Sequence, residues 1–438
     1  MKKIYYLAAL PLAIAAGLTS CIQDEALNTE CDIESCTLPD STILASAVVI
    51  DNETVTIRIK PDADISALAP IFTITEGATI SPESGSVHDF LNAEKHTIEY
   101  TVTSQDGEWS KTYPVRVLQK EVPSEFFFNS NRLDSKDSKY TIFREKDEEG
   151  EIVMEWASGN PGFVMCGVAD KNAKAEHGDS YKDFIWQYFP TVGVYDATVQ
   201  IIPNESEGYK YFSDAPKFIR LTTCSTGSFG AMVKMPIAAG NIFQGVFDLS
   251  NAIAKPREAT KFGEPYRYEP ATLSGEYRYK RGEKFTDKSG KVVAGRQDIF
   301  SIYALFYESE PGVVDYLDGE IHKADFKHPN LVSIAMVKDP KVTGLEEGDW
   351  VKFEIPFERV EGKEIDREKL VKGQYKIGMV LSSSEWGDYF EGAVGSTLDI
   401  RNLKYTNVTI EELNETIYIF SNSSIGGNTS RLRTRKHK

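Results

Sequence analysis

Two tryptophans stand among acids and small polar residues. Trp386 lies in Ser384-Glu385-Trp386-Gly387-Asp388-Tyr389, directly after Ser382-Ser383, and Trp186 lies in Asp183-Phe184-Ile185-Trp186-Gln187-Tyr188. A flat aromatic ring takes the apolar face of a sugar, while carboxylates and amides accept hydrogen bonds from its hydroxyls. On that chemistry Trp386, Trp186, Glu385, Asp388 and Tyr266 are the candidate carbohydrate-binding residues. Packing is the simpler reading of Trp186, because Trp is usually well buried. Around Trp386, Gly387 and the serine run point instead to an exposed loop. Tyr266 and Tyr268, like Tyr277 and Tyr279, are spaced to share a strand face, and half-buried packing accounts for them as well.

Glycoside hydrolysis needs two carboxylates, ~5–5.5 Å apart for retention or ~6.5–9.5 Å for inversion. The chain has 66 Asp and Glu, so a pair is easy to nominate and none is singled out. Solvated surface acids explain Glu264, Glu269, Glu385, Asp388 and Glu391 better than catalysis does, and the catalytic residues stay unknown. Six His are scattered along the chain without a His-Glu-x-x-His zinc site, and no Cys-x-x-Cys occurs. No Gly-x-Gly-x-x-Gly, Walker A or Gly-x-Ser-x-Gly element is present, which removes the usual evidence for nucleotide or α/β-hydrolase chemistry. Asp315-Tyr316-Leu317-Asp318-Gly319-Glu320 offers oxygen ligands for a structural Ca²⁺, but lacks EF-hand spacing and reads first as a tight turn. No metal site and no cofactor are expected.

The segments that would carry these residues alternate with period two. Val55, Ile57 and Ile59 interleave with Thr54, Thr56, Arg58 and Lys60, and Ile98, Tyr100, Val102 and Tyr113, Val115, Val117 repeat the pattern across a Ser104-Gln105-Asp106-Gly107 turn. Residues 41–119 are expected to form an immunoglobulin-like β-sandwich. Further on, Val351, Phe353, Ile355, Phe357 and Tyr375, Ile377, Met379, Leu381 alternate. Asp298 to Tyr307 is apolar on both parities, as for a central strand covered on both faces; Ser301, Tyr303 and Tyr307 share its wetter face. Leu398 and Ile400 lie on one parity and Leu403 and Tyr405 on the other, which demands a bulge or a strand end near Arg401-Asn402. The acidic run from Arg144 to Glu151 reads as a hairpin tip. Helical patterns are few and short, so the class is all-β, with a larger C-terminal jelly-roll β-sandwich over residues 120–410.

The ends differ from the middle. Lys2 and Lys3 precede an apolar stretch from Ile4 to Leu18, followed by Thr19-Ser20-Cys21. A basic start, a short apolar run and small residues before a cut site make a secretory signal. Because it ends on Cys, residues 1–20 resemble a bacterial lipoprotein signal peptide, with Cys21 lipidated and anchoring the protein to a membrane. Residues 21–40 are expected to be a linker. Cleavage before Cys21 lowers the net charge from -17 to -19. So acidic a protein repels nucleic acid, and no nucleic-acid partner is expected. Four cysteines remain: Cys31 and Cys36, close enough for a local loop, and Cys166 and Cys224, read as buried thiols; their pairing is open. Residues 411–438 end with five Lys/Arg among the last eight positions and read as a basic, disordered tail.

Several blocks occur in a recognisable order. They are Trp156-Ala157-Ser158-Gly159-Asn160-Pro161-Gly162-Phe163, Ala239-Gly240-Asn241-Ile242-Phe243-Gln244-Gly245, Phe262-Gly263-Glu264-Pro265-Tyr266, Leu273-Ser274-Gly275-Glu276-Tyr277-Arg278-Tyr279, Asp298-Ile299-Phe300-Ser301-Ile302-Tyr303-Ala304, Ser382-Ser383-Ser384 with Gly387-Asp388, and Gly392-Ala393-Val394-Gly395-Ser396-Thr397-Leu398. Together they resemble the putative carbohydrate metabolism domain family of Bacteroidota lipoproteins. The resemblance implies a jelly-roll domain similar to carbohydrate-binding modules, following an immunoglobulin-like module. Arg401-Asn402 stands where the family commonly carries an acidic pair. The expectation is a lipid-anchored outer-membrane protein, on the periplasmic or cell-surface face, that binds polysaccharide or oligosaccharide in carbohydrate utilisation. The alternatives are a glycoside hydrolase or polysaccharide lyase, and a structural or adhesin-like surface protein that binds protein partners.

Overall fold

A computed structural model describes residues 27–44, 48–50, 54–60, 63–119, 122–134, 137–147, 150, 152–204, 209–309, 316–371 and 373–408. The expected signal segment, Cys21, Asp315 and the basic tail lie outside these residues. The chain is nearly all β and divides into two compact units, with the main boundary between Val117 and Leu118. Among the described residues no helix is long and apolar enough to cross a membrane.

The first unit is a small β-sandwich. One sheet runs in the order Val49–Ile50, Val55–Ile59, Ser110–Gln119, Thr97–Thr103, Thr79–Ser81, and Ile33–Thr37 pairs with Ile71–Ile74 in a second. Alternation decides which side chains go inside: Val55, Ile57, Tyr100, Val102, Tyr113, Val115 and Val117 are all buried. The linker expected as far as residue 40 ends sooner. Ile33, Cys36 and Leu38 are apolar side chains buried in the unit, and burying them draws their strand into it. Cys31 and Cys36 form no local loop; both are free, as are Cys166 and Cys224.

The second unit is a jelly-roll sandwich. Its larger sheet places Thr141–Lys146, Ile152–Ala157, Asn241–Phe247, Tyr375–Ser382, Ser301–Glu308 and Leu331–Met336 side by side. The strands on either side of the charged run, Thr141–Lys146 and Ile152–Ala157, pair antiparallel, and part of the run between them lies outside the described residues. The smaller sheet runs Thr191–Val194, Phe218–Thr222, Thr397–Asn407, Pro270–Lys280, Val351–Pro356. Between the sheets lie Phe126, Trp156, Ile242, Phe300, Ile302, Ile377, Met379, Leu381, Leu398, Ile400, Leu403 and Tyr405. Burying each of these is worth ~1.5–3 kcal/mol relative to exposure, so this layer dominates stability.

The parity change in Thr397–Asn407 is a bulge, not a strand end. The register against Pro270–Lys280 slips between Ser274–Lys404 and Glu276–Arg401. Asn402 takes up the slip at φ 55°, a left-handed conformation that Asn tolerates. The extra residue turns Leu403 and Tyr405 back into the core. Arg401 faces outward and pairs with Glu276 at 2.8 Å. The acid of this strand is Asp399, buried and held by Arg220 and Arg278 at 2.8 Å each.

Candidate functional site

The larger sheet has a second face, opposite the core, and its register sets out a floor. Asn241 pairs with Ser382 and Ser382 with Ser301, forming one row across three strands. Two residues further along, and so about 7 Å away, Phe243, Val380, Tyr303 and Met336 form the next row. The residues between them, Ile242, Leu381 and Ile302, point the other way into the core. Both rows line a cavity of about 430 Å³. Its walls come from the Asn160–Val164 helix, the Gly227–Met232 helix with the apolar segment Met235–Ala239 that follows it, the loop after Phe247, the Glu320–Lys323 helix and the loop after Ser382.

That last loop carries Glu385, Trp386 and Asp388, and a buried polar network fixes it. Asp298, 1% exposed, accepts hydrogen bonds from Ser384 Oγ (2.6 Å), Ser396 Oγ (2.7 Å) and the backbone N–H groups of Ala393 (2.7 Å) and Ile299 (3.0 Å). Burial raises the pKa of the Asp298 carboxyl against these hydrogen bonds, which favour its charged form. Thr223 Oγ1 lies 2.8 Å from Ser383 Oγ and 2.6 Å from Ser384 Oγ. The serine run that marked an exposed loop is thus buried at Ser383 and Ser384, as the loop's anchor. Gly387 is required by close approach, because a Cβ there would collide with that of Ala239.

Beyond the anchor the loop turns outward. Trp386 is 37% exposed, and Arg296 sits 5.1 Å from its ring centre while bonding Glu391 at 2.7 Å. Tyr389 lies 5.4 Å from Trp386, and His322 lies 5.4 Å from Trp386 and 5.9 Å from Tyr389. His322 Nδ1 is 3.1 Å from each carboxylate oxygen of Asp388. The hydrogen bond that the ring donates to Asp388 raises the imidazole pKa, burial opposes it, and the charges of Asp388 and Glu385 add to the rise. Glu385 lines the same cavity, and its carboxylate has no hydrogen bond or ion pair among the described residues. Arg257 lies over Tyr389 at 4.7 Å and is held by Glu320 at 2.7 Å.

Of the five sequence candidates, Trp386, Glu385 and Asp388 come together here. Trp186 does not. It is 9% exposed and packs edge-on to Phe212 (5.0 Å) and Tyr195 (5.8 Å), and its indole N–H donates to the Asp183 carbonyl at 3.2 Å. Its polar neighbours reflect a 3₁₀ turn over Ile185–Tyr188 that buries Ile185 and Trp186 together. Tyr266 is also a core ring, 2% exposed, with its hydroxyl donating to Asn407 Oδ1 at 2.8 Å. Neither can be a platform for a ligand. His322, Tyr389 and Arg296 were missed. His322 was weighed only for metal spacing, and its partner is 66 positions away. In the Asp315–Glu320 segment, Asp318 accepts from the Glu320 N–H at 2.9 Å and Glu320 binds Arg257 and Lys323. Among the described residues no group of His, Cys, Asp and Glu is arranged to hold a metal ion.

Residues 128–406 match the family model described as "Putative carbohydrate metabolism domain", and residues 33–117 match one described as "SGBP, N-terminal". Two solved structures are similar over long spans. One, described as a putative glycoside hydrolase from Bacteroides thetaiotaomicron VPI-5482, is 41% identical, covers 88% of this chain and 99% of its own, and has a TM-score of 0.55. The other, described as a putative glycoside hydrolase from Bacteroides vulgatus ATCC 8482, is 37% identical, covers 66% of this chain and 100% of its own, and has a TM-score of 0.52. No curated protein matches the chain.

Proposed function

The chain belongs to the putative carbohydrate metabolism domain family, and on that premise we propose that it is a cell-envelope glycan-binding protein, lipid-anchored through Cys21 at the outer membrane. The observation that carries the reading is Trp386, 37% exposed on the loop whose Glu385 and Asp388 line the cavity of about 430 Å³, with Trp386 and Tyr389 standing just outside that lining. A cleft of that size, with few convergent polar groups, is the usual form of a small-ligand site. Trp386 and Tyr389 take the apolar face of a sugar ring. Asp388 and Glu385 accept from hydroxyls, and His322, held by Asp388, donates from its free ring nitrogen. Arg296 and the Asp298 network hold the loop in place before the ligand arrives, so little ordering is left to offset binding. The SGBP-type first unit supports an envelope location.

Affinity electrophoresis of the full chain against a panel of neutral polysaccharides tests the proposal. Retardation by at least one glycan, lost in Trp386→Ala, is the expected result; no retardation by any of them defeats it.

A hydrolase is the second reading. It is favoured by Glu385, without an ion pair among the described residues, and the His-paired Asp388, both lining the same cavity, and by solved relatives described as glycoside hydrolases. Reducing-sugar release abolished by Glu385→Gln or Asp388→Asn would decide for it.

A further inference from the structure

The floor of the cleft is polar in one row and apolar in the next. Asn241, Ser382 and Ser301 form the polar row, and Ser382 leads directly into Glu385 and Asp388. Along the Asn241–Phe247 strand the same face then presents Phe243 and Phe247, and Phe262, which pairs with Gly245, joins the lining. Phe163 completes this apolar half from the Asn160–Val164 helix. Two further lining residues are apolar and open to solvent at the rim, Met165 at 39% and Ile253 at 44% exposure. Of the charged lining groups, Arg257 is bound by Glu320, and Lys338 by Glu358 at 2.6 Å. That leaves Glu385 and the Asp388–His322 pair to meet a ligand.

A bare oligosaccharide filling this space would press hydroxyls against phenylalanines that cannot replace their hydrogen bonds to water. An apolar group would lose nothing there and would cover the exposed rim. Resting on the glycan-binding reading above, we infer that the cleft takes a sugar bearing an apolar substituent. The sugar lies by Glu385 and Asp388, reaching out toward Trp386, and an aryl or alkyl group lies among Phe163, Phe243, Phe247 and Phe262. The carboxylates and the hydroxyl row at the other end argue against a plain hydrocarbon ligand.

Displacement of the fluorescent probe N-phenyl-1-naphthylamine from the full chain tests this, with octyl and p-nitrophenyl glycosides, the matching free sugars and octanol as competitors, all below micelle-forming concentrations. The expected result is that one or both glycosides displace the probe at least tenfold more tightly than either the free sugar or octanol, and the two arms distinguish an alkyl from an aryl substituent. The rim variant Met165→Asp/Ile253→Asp changes two partly exposed apolar side chains, and its melting temperature is measured alongside. It should lose that tenfold advantage while keeping its affinity for whichever polysaccharide the electrophoresis identifies. If free sugars compete as well as glycosides, the inference fails and the glycan reading stands. If octanol competes as well as octyl glycoside, the site is a hydrocarbon site and the inference fails. If no glycoside displaces the probe, the inference fails, and the electrophoresis separately decides the glycan reading.

Discussion

His322 Nδ1 faces both carboxylate oxygens of Asp388 at 3.1 Å, joining a helix and a loop that lie 66 positions apart in sequence. The pair sits where the ligand would, so its protonation is part of the site. The folded state raises the imidazole pKa above its ordinary value of 6.5. The stabilisation is therefore complete below about pH 6.5 and is lost as pH rises through the raised value. In a nuclear magnetic resonance titration, the His322 ring should titrate at higher pH in the wild type than in Asp388→Asn. Equal midpoints would show that the contact does not hold the proton.

Asp298 should govern the Trp386 loop from beneath. Asp298→Ala removes the acceptor shared by the Ser384 and Ser396 hydroxyls and by the N–H groups of Ala393 and Ile299, and each buried group left unpaired costs about 1–3 kcal/mol. Asp298→Asn keeps one oxygen and should lose less. Both variants are expected to unfold at lower temperature, and Asp298→Asn should weaken glycan affinity although residue 298 does not touch the ligand. An affinity equal to that of the wild type in Asp298→Asn would show that the loop holds itself.

Glu145 gives the second unit a pH dependence remote from the cleft. It is buried and accepts from Trp156 Nε1 and from the N–H groups of Phe127 and Phe128, each at 3.0 Å. Burial outweighs these bonds and pushes its pKa from 4.5 up to about 7. Between those values the folded state keeps a proton that the unfolded chain has released, so stability falls as pH rises. The loss is on the order of 3 kcal/mol by pH 8. Denaturant titrations of the wild type and Glu145→Gln at pH 5 and pH 8 should show the difference shifting toward the variant by about that amount.

Strand parity is local, and it carried the fold. The bulge at Arg401–Asn402 and the two-sided burial of Ser301–Glu308 follow from which neighbours are apolar. Of the face read as the wetter one, Ser301 and Tyr303 line the cleft floor, whereas Tyr307 is fully buried. Register between distant strands is not local, and the site depends on it. Nothing near residue 322 announces Asp388, and nothing near residue 298 announces Ser384 or Ser396. Polar neighbours misled at Trp186, where a 3₁₀ turn buries the ring while its flanks meet water. At Trp386 the ring is 37% exposed, although Ser383, Ser384 and Gly387, which marked the loop, are themselves packed as its anchor.

The most direct measurement is calorimetric titration of the full chain and of Trp386→Ala with a glycan that retards the wild type. The prediction is saturable binding by the wild type and a loss of at least tenfold in the variant, with the melting temperature changed by no more than a few degrees. Undiminished affinity in Trp386→Ala would place the sugar elsewhere and contradict the assignment of this cleft.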